Sequence, residues 1–466
     1  MNEIKKTLNE SKIARWIALA LISSTMFFAY FFVDVVAPLQ TMMETQFKWT
    51  PEVFGMLGGS EFFLNVFAFF LILSGIILDK MGIRFTIITA GLTMVLGAAL
   101  KFYALTEAFA ASGLASWLNS FIVWVPASAK LAFLGFAIFG VGVEMAGITV
   151  SKTIVKWFRG KEMALAMGLE MAVARLGVFA VFRLTPIFAE TGGPANSVLW
   201  GLIFLCIGFI TFLLYTFMDY KLDKQLGKSE ISSDPEEEFK IKDIGKIFSN
   251  PGFLAIAGLC VLFYSAIFPF QKFATDMLAS KLDIPLKDAA AYFSYFPIGA
   301  MVLTPFIGYF LDVKGKGASM MLYGALLMTV SHLIFAFVPA EIFNVPIAIG
   351  TIVILGTAFS LVPASMWPSL PKIVEDRYLG SAYGAIFWIQ NIGLLLVPIL
   401  IGWSLSASNP GVSEQIAAGV EGVKYNYTIP EIIFSGFGVL AIILSLVLRV
   451  VDKKNGYGLE IPNKKK

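Results

Sequence analysis

Twelve long apolar runs dominate this chain: roughly 16–40, 53–78, 84–106, 128–151, 163–189, 196–218, 251–276, 289–311, 318–338, 344–370, 379–406 and 428–449. Each is close to or above the ~20 residues that a helix needs to cross a bilayer. Lipid offers no water to backbone N–H and C=O groups, so a spanning segment must satisfy them internally, as a helix does. The expected class is an all-α membrane protein with twelve transmembrane helices. Composition agrees: 58% of residues are hydrophobic and 14% charged, against about half and a quarter in soluble domains.

The fourth and fifth runs flank a short basic turn with Lys152, Lys156, Arg159 and Lys161. Both also hold charges at depth: Glu144 in the fourth, Glu170 and Arg175 in the fifth. Helix rise puts Glu144 about 18 Å and Arg175 about 21 Å above that turn, near the middle of a hydrocarbon core about 30 Å thick. A charge at that depth costs on the order of 3 kcal/mol, so it faces a bundle interior or an aqueous cavity. Two readings stand. The pair neutralises itself and locks two helices, or it holds a zwitterion, with the amine on Glu144 and the carboxylate on Arg175. The planar fork of arginine suits a carboxylate. Glu170 is deep as well, but points about 140° away from Arg175 around the helix.

Placement of Lys and Arg sets the topology. One side receives Lys5, Lys6, Lys12 and Arg15, then Lys80 and Arg84, the basic turn, Lys221 to Lys246, Lys314 and Lys316, Lys372 and Arg377, and the tail from Arg449. The other receives Lys48, Lys101, Lys130, Lys281, Lys287 and Lys424. The first side is expected to be cytoplasmic, with both termini. The polar stretch 219–250 separates six runs from six, giving expected domains of 1–218 and 251–466 joined by a solvated linker with a short amphipathic helix near Ile241 to Phe248. The loop with Trp117 and Trp124 suits an interfacial helix. One histidine and two cysteines offer no metal, disulfide or intramembrane hydrolase constellation. No enzyme activity, cofactor, metal or nucleic-acid partner is expected, nor is a cleaved leader expected before the first helix. Asp34 and Glu61 lie near outer helix ends and suit gate contacts; Lys272 and Arg183 suit snorkelling to the outer face. Pro363, Pro368 and Pro371 are expected to break the tenth span, as prolines do in cavity-lining helices.

The two halves repeat each other. Gly75, Asp79 and Gly82 recur as Gly308, Asp312 and Gly315; Ala166, Gly168 and Gly177 recur as Ala382, Gly384 and Gly393. The first pattern, with Arg84, resembles the G-x-x-x-D-x-x-G-x-[RK] loop of the major facilitator superfamily. The second copy departs at its end, with Gly317 where the base belongs and Lys316 one residue early. The resemblance implies two pseudo-symmetric six-helix bundles and makes Asp79, Arg84 and Asp312 gate residues of the cytoplasmic side. By the second echo Arg175 corresponds to Asn391 and Glu144 to Ser360, so both strong charges belong to the first half. The body of a ligand would then face Ser360, Trp388, Gln390 and Asn391, with Tyr264 and Ser265 on the seventh span.

Several blocks further resemble the lysosomal dipeptide uniporters and their microbial relatives: Asp34, the 75–85 loop, Trp157 to Glu162, Gly168 to Gly177, Tyr264 to Phe270, Gly380 to Gly384, and Gln390-Asn391. In that branch the acid of the fourth span and the arginine of the fifth hold the peptide ends, which implies that role for Glu144 and Arg175. The first helix lacks the E-x-x-E-R run of proton-coupled peptide carriers, and the tails show no acidic-dileucine signal. The expectation is a monomeric carrier of small zwitterions, chiefly dipeptides, working by alternating access in a cell membrane. Its rivals are a carrier of small carboxylates with Glu144 as a proton site, and a membrane sensor that transports nothing.

Overall fold

In the computed structural model, residues 7–227 and 244–462 are described. Lys5, Lys6, the centre of the linker and Lys464 to Lys466 lie outside them. Among the described residues ten helices are long and apolar enough to cross a membrane. One covers 62 residues, about 93 Å by helix rise and three bilayer cores long. It turns back at Gly193, whose φ of 67° and ψ of −169° suit glycine alone, and so supplies two spans. Span two escapes that count because it is broken into pieces. The bundle therefore has twelve spans in two six-helix halves.

The spans are numbered α1 to α12. α1 is Lys12–Val33. α2 and α3 occupy 51–81 and 83–103, parted by Gly82 at φ 79°. α4 is Ala127–Phe158, and α5 and α6 occupy 163–191 and 194–226. α7 is Pro251–Leu282, α8 runs through Leu286–Phe293 and Tyr295–Lys314, and α9 is Gly317–Phe337. α10 is Val345–Ile373, α11 Leu379–Ser408 and α12 Thr428–Asn455. α6 continues to Leu226, past the expected end of its bundle; of the expected linker helix, Ile244–Phe248 is helical and 241–243 lie outside the described residues. The loop between α3 and α4 forms Gly113–Asn119, with Trp117 and Trp124 exposed.

Two expectations about helix breaks reverse. α10 stays continuous through Pro363, Pro368 and Pro371. Pro371 removes the N–H that would have met the Trp367 carbonyl, and the Tyr383 hydroxyl of α11 donates to that carbonyl at 3.2 Å. The break falls instead in α2, which ends at Ser60, resumes at Phe63–Phe67 and resumes again at Phe70. Phe69 sits there at φ 52°, unusual for an aromatic residue.

At the face that carries the termini, each half is tied within itself. Buried Asp219 of α6 accepts hydrogen bonds from Lys156 at 2.8 Å, Tyr215 at 2.8 Å and Trp157 at 3.2 Å. In the second half a strap at 456–461 crosses beneath the helix ends. Its Glu460 and Leu459 carbonyls accept from the backbone N–H groups of Lys316 and Gly317 at 3.1 and 2.9 Å. The Glu460 carboxylate accepts from Ser319 N and Oγ at 2.7 and 3.0 Å. Tyr457 donates to Asn250 at 2.9 Å, and Lys372 donates to the Ile461 carbonyl at 3.0 Å.

Candidate functional site

The bonds between the halves gather toward the face opposite the termini. Gly55 and Gly59 of α2 pack on the Pro398 and Leu395 carbonyls of α11, and Gly402 packs on Pro51. Glu44 accepts from Tyr425 at 2.6 Å and from Ser413. Asp276 accepts from Tyr427 at 2.7 Å and from Thr41. Arg183 donates to Ser294 at 3.0 Å, and Lys287 meets Glu190 at 2.8 Å. Deeper in the seam, Lys272 of α7 pairs with Asp34 of α1 at 2.8 Å and lies 3.9 Å from Glu61 of α2. The seam is thus sealed at the far face, and the halves face each other across the middle of the bundle.

Two corrections follow for the cations near the far face. Lys272 does not snorkel; it is 8% exposed and bound to the first half. Lys101, counted with the cations of the outer side, is 0% exposed, and its Nζ has no hydrogen-bond partner among the described residues. Neither burial is visible in sequence, because both depend on contacts between helices far apart in the chain.

Midway through the bundle lie Glu144 on α4 and Arg175 on α5, both partly buried. They form no ion pair with each other: among the described residues Glu144 has neither hydrogen bond nor salt bridge, and Arg175 rests its guanidinium 4.5 Å from the Phe359 ring of α10. A self-neutralised lock between α4 and α5 is therefore not what forms. Tyr30 of α1 lies within electrostatic reach of both groups and of Glu170 and Glu61. Glu170 interacts with Arg175 as well.

The second half contributes an aromatic wall. Phe359 lies 6.3 Å from Tyr264 and 5.7 Å from Phe268, and Tyr264 stacks on Phe268 at 5.5 Å. The Tyr264 hydroxyl accepts from Trp367 Nε1 at 3.3 Å, and Trp367 stacks on Phe387 at 4.9 Å. Tyr264 also interacts with Arg175 and Tyr30, so the structure brings Arg175 and Tyr264 together. Ser265 Oγ and Asn391 Nδ2 are buried without hydrogen-bond partners among the described residues, and Gln390 accepts from Cys260 at 3.3 Å.

Two expected ligand contacts are occupied by the fold. Ser360 is fully buried and donates to the Gly356 carbonyl at 3.0 Å and the Ala300 carbonyl at 3.4 Å. Trp388 donates to the Val66 carbonyl at 3.1 Å and stacks on Phe69 at 5.8 Å, capping the break in α2. Carbonyls at a helix end need such partners. Phe359 was not singled out from sequence; its only signal was the aromatic's position beside Ser360.

Of the gate residues, Asp79 pairs with Lys152 of α4 at 2.7 Å. Arg84 lies 3.6 Å from Asp223 of α6 and over the Tyr220 ring. These contacts hold the 79–84 loop to its own half. Asp312 sits at the corresponding end of α8, one turn from the strap.

A sequence profile described as the Major Facilitator Superfamily matches residues 22–398 and, in a second match, 273–460. The chain is 28% identical over 463 residues to the lysosomal dipeptide transporter MFSD1 of Mus musculus, covering 97% of this chain and 89% of that protein. It is 28% identical over 408 residues to the Homo sapiens protein of that name, covering 84% and 80%. Among solved structures, the nucleoside transporter NupG superposes with TM-score 0.68 at 15% identity, over 94% of this chain and 99% of that one. A bacterial homologue of the human lysosomal transporter Spinster, in an inward-facing and occupied conformation, gives 0.66 at 14% identity over 96% and 99%.

Proposed function

The chain belongs to the major facilitator superfamily, and we propose that it carries small zwitterionic peptides, chiefly dipeptides, by rocking the halves 1–218 and 251–466 against each other about a site at mid-depth, so that the far seam and the terminal side open in turn. The observation that carries this reading is the pair of opposite charges at mid-depth, Glu144 and Arg175, which both lie within electrostatic reach of Tyr30 yet do not pair with each other. A dipeptide supplies what each lacks: an amine for Glu144 and a carboxylate for the fork of Arg175. The Phe359 ring beneath the guanidinium fixes its plane without using its hydrogen-bond donors. Tyr264, Ser265, Gln390 and Asn391 face the peptide body in this proposal. Ser360 and Trp388 serve it indirectly, one through the packing of α8 on α10 and the other through the break in α2. Asp79, Arg84 and Asp312 hold the helix ends on the terminal side, the side proposed to open while the far seam is closed. The similarity to dipeptide transporters over nearly the whole chain supports the substrate class. The basic terminal face is proposed to be cytoplasmic by the charge rule, in a cell membrane, with the protein acting as a monomer.

The test is uptake into proteoliposomes by wild type and Glu144→Gln, with free and N-acetylated dipeptides. Losing a hydrogen bond to a charged group costs about 1.5–3 kcal/mol, so transport of the free peptide should fall by about tenfold or more, and transport of the acetylated peptide much less. Equal loss for both removes Glu144 from the amine site. One observation favours a second reading: Arg175 interacts with Glu170 on its own helix, while Glu144 stands apart. A carrier of small carboxylates needs only the arginine, and would take up amine-free acids as readily as peptides.

A further inference from the structure

Four charges are buried where the seam deepens. Asp34 and Glu61 belong to the first half, at 1% and 4% exposure, and share Lys272 of the second half. The fourth is Lys101, on α3 of the first half. Its ammonium lies 3.9 Å from the centre of the Phe136 ring, and that of Lys272 lies 5.7 Å from the same ring. Lys101 lies within electrostatic reach of Lys272, Glu61 and Asp34, yet its Nζ has no hydrogen-bond partner among the described residues. One oxygen of Glu61 is likewise without a hydrogen bond.

A fully buried, unbonded ammonium is among the most unfavourable groups a fold can hold. Packing does not explain it, since methionine fills the same space beside Phe136 without a charge. The arrangement makes sense when both end states of a rocking cycle are considered. Parting the far seam carries Lys272 away with the second half and leaves Asp34 and Glu61 on the first. Lys101 is already on the first half, beside them.

We propose that Lys101 is the standby counter-charge of the far gate: Asp34 and Glu61 are neutralised by Lys272 while the seam is closed and by Lys101 once it opens. Lys101 is therefore a positioning residue that acts through the two acids and touches no substrate. In the closed state it repels Lys272 and weakens the lock; in the open state it stabilises the exposed acids. Both effects favour opening. The inference needs the halves to rock, as in the function proposed above, but not any particular substrate.

The experiment measures reaction of a membrane-impermeant maleimide with a cysteine at Gln40, a residue 1% exposed and covered by the Tyr427 hydroxyl at 3.3 Å. Cys206 and Cys260 are replaced by alanine in all variants. Labelling rate follows the fraction of time the seam is open, so a minor open population suffices. Lys272→Met should speed labelling, and Lys101→Met should slow it, each by at least about threefold. Lys101→Arg should behave as wild type, which shows that charge and not volume is responsible. Thermal unfolding of each variant in detergent identifies any that fails to fold; Lys101→Gln, which should slow labelling likewise, then carries the test. Labelling in Lys101→Met at or above the wild-type rate overturns the inference. No change in Lys272→Met counts against the rocking itself, and against the inference with it.

Discussion

The far seam closes on glycine, and that makes its opening sensitive to single methyl groups. A Cβ built on Gly55 would lie 2.2 Å from the Pro398 carbonyl oxygen, and one on Gly59 2.2 Å from the Leu395 carbonyl oxygen. Ordinary contacts of that kind fall between about 3.4 and 4 Å, so each methyl demands more than about 1 Å of separation between two backbones. Rigid helices cannot yield that locally, and overpacking of this kind costs about 1–3 kcal/mol or more. The cost applies only where α2 meets α11, that is, in the far-closed state. Intrinsic helix propensity meanwhile favours alanine by about 1 kcal/mol in either state. The net expectation for Gly55→Ala or Gly59→Ala is a shift of about 1.4 kcal/mol or more toward far-open, roughly tenfold in the equilibrium, with little loss of folding stability. Gly140 is the control: its Cβ would lie 1.8 Å from the Glu61 carbonyl oxygen, inside one half, so alanine there should lower the melting temperature instead. Spin labels at the exposed residues Glu107 and Glu421, on far-face loops of the two halves, report the distance by electron–electron resonance. A distance distribution unchanged by Gly55→Ala and Gly59→Ala would refute the assignment of these glycines to the moving seam.

Two further outcomes are expected from contacts within and across the halves. Trp388→Phe keeps the stacking on Phe69 but leaves the Val66 carbonyl without its donor; a cost of about 1–2 kcal/mol should appear as a lower melting temperature, and faster hydrogen exchange should be confined to 61–70. Asp219→Ala takes the acceptor from the Tyr215 hydroxyl, leaves Trp157 only Tyr215 at 3.1 Å and leaves Lys156 only Asp223 at 2.8 Å; a loss of about 3 kcal/mol should lower the melting temperature by more than Asp79→Ala, whose ion pair is exposed and worth well under that.

Much of the architecture was legible before the structure because lipid leaves the backbone few options. Run length gave the spans, and the repeated Gly-Asp-Gly loop gave the two halves. Glu144 and Arg175 stood out because charge at that depth has a high cost. Features that depend on tertiary partners were harder to read. The prolines of α10 looked like breaks, but Tyr383 supplies the bond that Pro371 cannot, and Tyr383 comes from another helix. The true break at 61–69 has no proline, and it depends on Trp388 from the other half. Lys101 and Lys272 read as helix-end cations because their acids are remote in the chain. Ser360 was placed by its correspondence to Glu144, and pseudo-symmetry of position did not extend to the direction of the side chain.

The strap beneath the second half has a mechanical meaning. It joins the start of α7, the turn between α8 and α9, and the ends of α10 and α12 into one rim, as a hoop joins staves. Helices bound in this way cannot splay one at a time. Any large displacement of that half is expected to be taken up where the hoop is missing, along the boundary it shares with its twin, with the second half moving as one stiff leaf and not as six independent rods.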